Sequence, residues 1–184
     1  MTYYANINSH NELTGIDMSM LVIDEYGSSK VQNIEVSEDV YNNRDKYIYK
    51  KGKIVLNPNY DAEQLEKAKQ DKYAEALNKA NEYLSGVACY RYNENNSIEA
   101  TDGNIGKFTA YALAMQSGLA ETVTWTTKED NVITLELNDV ITILTGLGAV
   151  QSNVWNVQFI AYKTAIDEAE TIEEIEGINI DYDN

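Results

Sequence analysis

The spacing of apolar residues changes character near Pro58, the chain's single proline. Before it, short runs alternate with turns. Tyr3-Tyr4-Ala5-Asn6-Ile7 predicts a first strand, followed by a polar stretch ending at Gly15. The apolar, β-branched run Met20-Leu21-Val22-Ile23 predicts a second, broken at Tyr26-Gly27-Ser28-Ser29. Residues 31–36 alternate imperfectly and predict a third. Ser37 then caps a short acidic turn, Glu38-Asp39-Val40, whose carboxylates face free backbone N–H groups. Tyr47-Ile48-Tyr49 and Lys53-Ile54-Val55-Leu56 flank Lys50-Lys51-Gly52, a tight-hairpin signal because glycine tolerates positive φ.

After Pro58 the period becomes helical. Asn59 or Asp61 can cap a long helix that Gly86 closes. Tyr73, Leu77, Ala80, Leu84 and Val87 form a narrow apolar stripe at 3/4 spacing, with Glu63/Lys67 and Glu75/Lys79 at favourable i,i+4 positions. Such a stripe packs on its own domain or forms a coiled-coil seam between copies, so these five residues are the candidate oligomer interface. Two hairpins follow, over 87–100 and 122–135, separated by a helix that Thr101 caps. That helix turns Ile105, Phe108, Ala112 and Met115 inward and stops at Gly118. Asn138 is expected to cap the last long helix, carrying Val140, Ile141, Leu144, Val154, Ile160 and Ile166, with a bend at Gly146-Leu147-Gly148. Thr171 and Glu174 make a capping-box pattern for a final short helix. The predicted class is α+β. Residues 1–60 form a small β-rich head suited to attachment, and residues 61–184 form a helical body with antiparallel hairpins.

Charge narrows the function classes. Against 14 basic side chains stand 30 acidic ones, a net charge of −16, and no basic residue follows Lys163. This surface repels phosphates and anionic lipid, so no nucleic-acid partner is expected. No apolar run is long enough to span a membrane, and no membrane insertion is expected. The N-terminus lacks the pattern of a secretory signal. Tyrosine outnumbers phenylalanine 14 to 2, which suits strands and interfaces that stay partly wet.

Candidate chemistry is sparse, and the chain reads as a non-enzyme with no cofactor. His10 is the only histidine and has no companion in sequence, which argues against imidazole metal sites and Ser-His-Asp catalysis. Cys89, in a predicted strand, reads as a buried structural thiol. Asp102-Gly103-Asn104 reads as a helix start and completes no phosphate-binding motif with Gly106. Asp181 and Asp183 could offer oxygens to a hard cation, but they lack the rest of a calcium loop and sit at an expectedly mobile terminus. Trp125 and Trp155 read as core.

The order Glu121-Thr122-Val123-Thr124-Trp125, Asp130-Asn131-Val132-Ile133-Thr134-Leu135, then the stretch from Ala161 to Ile175 with Lys163, Ile166, Ala169 and Thr171-Ile172-Glu173-Glu174-Ile175, resembles a domain-of-unknown-function family of phage and prophage tail-associated proteins. Gly86 to Tyr92, Ser97-Ile98, Thr101 and Ala114-Met115-Gln116-Ser117-Gly118 fit its upstream half, so the resemblance covers about residues 62–178. It implies a virion location in the tail after synthesis in the host cytoplasm, with other tail proteins as partners. It also implies a homo-oligomer, with a trimer as first guess. No catalytic residue comes with it. A tail-fibre assembly factor absent from the particle, and an acidic DNA-mimic inhibitor of a host defence protein, are the alternatives.

Overall fold

A computed structural model of the chain describes residues 1–183. The chain divides into two units, Met1–Gln64 and everything from Leu65 on. The division falls inside the long helix instead of ahead of it.

In the first unit, β1 (Tyr3–Ile7) lies between β2 (Leu13–Asp17) and β3 (Gln32–Val36), all antiparallel. Alternation along β1 places Tyr3, Ala5 and Ile7 on one buried face, which Ile16 of β2 joins. The sequence pattern concealed β2 for a specific reason. Its pairing slips between Asn6 and Ile7, so Gly15 faces Asn6 while Leu13 faces Ile7. Thr14 is the extra residue of this bulge, and its hydroxyl donates to the Asn6 carbonyl at 3.0 Å. One inserted residue breaks the period of two, so what looked like a polar stretch is a strand. Conversely, Met20–Ile23 is not a strand but part of the loop between β2 and β3.

Ser37 accepts a hydrogen bond from the Val40 N–H at 3.3 Å and starts α1 (Glu38–Asn42). A 3₁₀ turn at Arg44–Lys46 leads into β4 (Tyr47–Lys50) and β5 (Lys53–Leu56). Their two-residue turn has φ of 51° at Lys51 and 81° at Gly52, the double positive that matches strand twist.

The second unit contains most of α2 (Tyr60–Gly86), then the hairpin β6 (Cys89–Asn93) and β7 (Asn96–Glu99) and helix α3 (Asp102–Gln116). The hairpin β8 (Val123–Thr126) and β9 (Val132–Leu135) follows, then α4 (Leu137–Asn153), one wide turn at Val154–Gln158, α5 (Phe159–Glu168) and α6 (Ile172–Glu176). The core is a contiguous apolar cluster in which Phe108, Leu135, Val140, Ile143, Leu147 and Val154 are fully buried. The α+β class is as read from the sequence, as are the caps of Thr101 and of the Thr171/Glu174 box.

Helix α4 departs from expectation in three ways. Glu136, not Asn138, is its N-cap, because β9 ends at Leu135 and the chain must turn at once. Glu136 and Asp139 cap each other reciprocally, with the Asp139 carboxylate accepting the Glu136 N–H at 2.9 Å. Its buried face is Val140, Ile143 and Leu147, while Ile141 is exposed, as is Ile160 on α5. The irregularity lies at residues 154–158, where the Phe159 N–H reaches back five residues to the Val154 carbonyl. Gly146 has a different task. A methyl group there would run into the ring of Tyr90, so glycine permits close approach of the ring on β6 to α4.

The stretch 178–183 after α6 is docked. Ile180 and Tyr182 are buried. The Tyr182 hydroxyl donates to the Ala76 carbonyl at 3.1 Å, and the Tyr162 hydroxyl donates to the Asp181 carbonyl at 2.6 Å. Lys79 reaches the Ile180 carbonyl at 3.0 Å. No helix among the described residues is long and apolar enough to cross a membrane.

Candidate docking surface

The five-residue stripe on α2 does not form one accessible face. Ala80 is 0% and Leu84 7% exposed, and both belong to the body's own core together with Ala76. Tyr73 lies at the flank, its ring 5.4 Å from Phe159 in an edge contact. Only Leu77 and Val87 retain substantial exposure without such a ring partner, at 38% and 51%. The correction has a geometric cause. Positions 76, 80 and 84 are four apart and stack on one helix face, which packs inward. The 3/4 stripe straddles that face and its edge. A seam between copies through Ala80 and Leu84 is therefore excluded in this fold.

The larger departure from ordinary burial is in the head. Three polar side chains are buried there: Asn6, Asn8 and Asp24. In the loop joining β2 to β3, five large apolar side chains face solvent: Met18, Met20, Val22, Ile23 and Tyr26, each more than half exposed. This reverses the usual partition, in which buried polar groups need partners and large apolar groups avoid water.

The buried polar groups explain how the loop holds its shape. Asp24 collects three backbone N–H groups: Ser9 at 2.9 Å, Tyr26 at 3.1 Å and Ser28 at 2.8 Å. Hydrogen bonding from Ser9, outweighing the cost of burial, holds the Asp24 carboxyl at about 2, with backbone N–H groups of Ser28 and Tyr26 assisting. Gly27, at φ 77°, closes this turn. Asn8 accepts the N–H groups of His10 at 3.0 Å and Glu12 at 2.9 Å. Asn6 and Asn33 both accept from the Leu21 N–H, at 3.4 and 2.9 Å, and Asn33 returns a bond to the Leu21 carbonyl at 3.0 Å. These bonds run between the sheet and the loop. The His10 ring packs edge-on against Tyr26, with centroids 4.3 Å apart.

The apolar, β-branched run Met20–Ile23 has the pattern of a strand, which conceals this site in the sequence. A signal was present: Asp24 stands three residues before Gly27, the pattern of a turn opened by an aspartate. A four-residue apolar run by itself does not distinguish strand from exposed loop.

The remaining candidate residues fall elsewhere. Cys89 is half-buried instead of buried, with its thiol 3.2 Å from the Val87 carbonyl and 3.3 Å from the Lys128 ammonium. Asp102 accepts from Gln151 at 2.7 Å at the start of α3. Trp125 packs on Phe108, with rings 4.7 Å apart, and Trp155 meets Phe159 at 5.4 Å; both lean on the core while remaining partly exposed. No cluster of three or more metal-ligating side chains occurs among the described residues.

An open polar cleft of about 720 Å³ lies between the two body hairpins, lined by Arg91, Glu94, Asn95, Ser97, Glu129 and Asn131. Its groups largely bind one another. Glu129 accepts the Ser97 N–H at 2.8 Å, which is the main reason its carboxyl is held at about 2, and Asn131 donates to the Asn95 carbonyl at 3.1 Å. The cleft stitches the hairpins together. Comparison with protein-family models, curated proteins and solved structures finds no match for this chain.

Proposed function

We propose that the protein is a non-catalytic structural component of a bacteriophage or prophage tail, acting through protein–protein contacts, with the head as its attachment region. The observation that carries attachment is the head loop, where buried Asn6, Asn8 and Asp24 hold Met20, Val22, Ile23 and Tyr26 out in solvent. Exposed apolar side chains gathered in one segment are the usual mark of a protein contact site. A segment shaped beforehand also loses less conformational freedom on docking. Placement in a tail rests on the resemblance over residues 62–178.

A symmetric homo-oligomer, with a trimer as the first arrangement to test, would use apolar side chains that remain exposed, such as those of the head loop, Leu77 and Val87, or Leu119 and Val132 of the body. The test is mass spectrometry of purified particles from the encoding phage, together with light scattering of the isolated chain. A fixed ratio to other tail proteins is expected. Absence from the particle would replace this reading with that of an assembly factor, and capture of a host nuclease would replace it with the acidic inhibitor.

A further inference from the structure

We infer that the head loop receives a protein segment carrying an arginine or lysine flanked by apolar side chains, an inference that rests on the attachment reading. The two hydrogens of the Asn8 amide are donated to two different carboxylates, Glu12 at 2.9 Å and Glu25 at 2.8 Å. Asn8 is itself 3% exposed, so a buried group fixes two surface charges of like sign beside each other. Neither glutamate forms an ion pair among the described residues. Two carboxylate oxygens held by one –NH₂ group lie within the span of a single guanidinium, whose planar fork donates in two directions.

The apolar side chains adjoin this pair in the chain. Ile23 and Tyr26 flank Asp24 and Glu25, and Tyr26 rests against His10, the residue whose N–H Asn8 holds. Over residues 8–30 the exposed acids are Glu12, Asp17 and Glu25, against Lys30 as the only lysine or arginine. The surface is thus apolar and acidic together, and its complement is apolar and basic. A second copy of this acidic chain and an anionic lipid surface would both meet like charge.

The experiment uses the full chain and capped hexapeptides in which arginine alternates with leucine, compared with the same peptides carrying glutamate in place of arginine. Binding is followed by calorimetry and by the NMR shifts of Val22, Ile23 and Tyr26. The arginine peptides are expected to bind and to shift these residues, and the glutamate peptides not to. The double variant E12Q/E25Q is expected to weaken binding at least tenfold, and so is V22S/I23S. Equal binding of both peptide types, no binding of either, or unchanged affinity in E12Q/E25Q overturns the inference. Saturation of the glutamate pair by calcium chloride without competition from the arginine peptide overturns it in favour of a cation site. Self-association lost in V22S/I23S overturns it in favour of a second copy. The same variants assayed for incorporation into particles separate the two readings. If V22S/I23S is excluded while E12Q/E25Q enters normally, attachment stands and the basic partner fails. Normal entry of V22S/I23S removes attachment through the loop itself.

Discussion

The head and the body solve the same problem in opposite ways. In the body, Phe108, Ile143 and Leu147 are sequestered and most charged side chains remain outside, so order follows from apolar burial. In the head, Asn8 and Asp24 are sequestered while Val22 and Ile23 are outside, so order follows from directed hydrogen bonds. The first arrangement is non-directional and tolerates exchange among apolar residues. The second requires particular donors and acceptors at particular positions and leaves apolar surface free for another molecule.

The comparison can be broken most severely from the body side. Truncation after Gly177 removes Ile180 and Tyr182 from the core, and at about 1.5–3 kcal/mol per buried side chain the expected loss is about 3–6 kcal/mol. Urea denaturation followed by tryptophan fluorescence measures it; an unchanged midpoint would show that the docked terminus contributes nothing. Next, Gly146→Ala pushes a methyl group into the Tyr90 ring, with an expected cost of about 1–3 kcal/mol by the same assay. Asn8→Ala should cost a comparable or smaller amount, about 1–3 kcal/mol, since it removes a buried side chain that accepts the His10 and Glu12 N–H groups. Its distinguishing sign is local: amide hydrogen exchange at His10 and Glu12 should accelerate while α3 and α4 keep their protection.

Titratable groups in both regions make stability depend on pH at either end of the scale. Asp24 is held at about 2, below its ordinary 3.8, so its contribution is present above 3.8 and is lost as pH falls toward 2. Glu129 in the body adds a loss of the same sign. In the body, the hydrogen bond to Asp139 raises Tyr92 from 10.0 to about 12, and burial raises Tyr182 to about 12. Their contribution is present below pH 10 and is lost as pH rises through 12. Melting curves across both ranges, with exchange resolved by region, should show the turn around Asp24 and the Glu129–Ser97 contact loosening in acid. In alkali the body should lose the Tyr92 and Tyr182 contributions, while Tyr3 and Tyr47, also raised by burial and a neighbouring carboxylate, add a loss in the head. The smallest expected effect is V22S/I23S, within about 0.5 kcal/mol of the parent because both residues already face water. A destabilisation of several kcal/mol would mean that these side chains support the fold instead of presenting a surface.

Legibility followed the physics of each element. Helices α2 and α3 and three hairpins were readable because local period, caps and turn residues agree: Thr101 and Gly118 bracket α3, and Lys51-Gly52 turns β4 into β5. Strand β2 was hidden by the Thr14 bulge, since inserting one residue reverses which side chains face inward. On α2, the stripe was visible but its use was not. Packing of the Ala76, Ala80 and Leu84 face depends on what the rest of the chain brings to it. The candidate docking surface was not legible, because exposure of Val22 and Ile23 is decided by Asn6 and Asn33 reaching Leu21 across the sheet.

By itself the sequence determined the α+β class, the change of character near Pro58, the strong negative charge and most element ends. These are consequences of periodicity, capping and turn chemistry, all of which act over a few residues. Tertiary structure alone decided which face of α2 is core, that the acidic C-terminal stretch docks through Ile180 and Tyr182, and that the head loop turns its apolar side chains outward. Each of those outcomes depends on contacts between residues far apart in the chain, as between Tyr182 and Ala76, and local pattern contains no record of which distant group will be there.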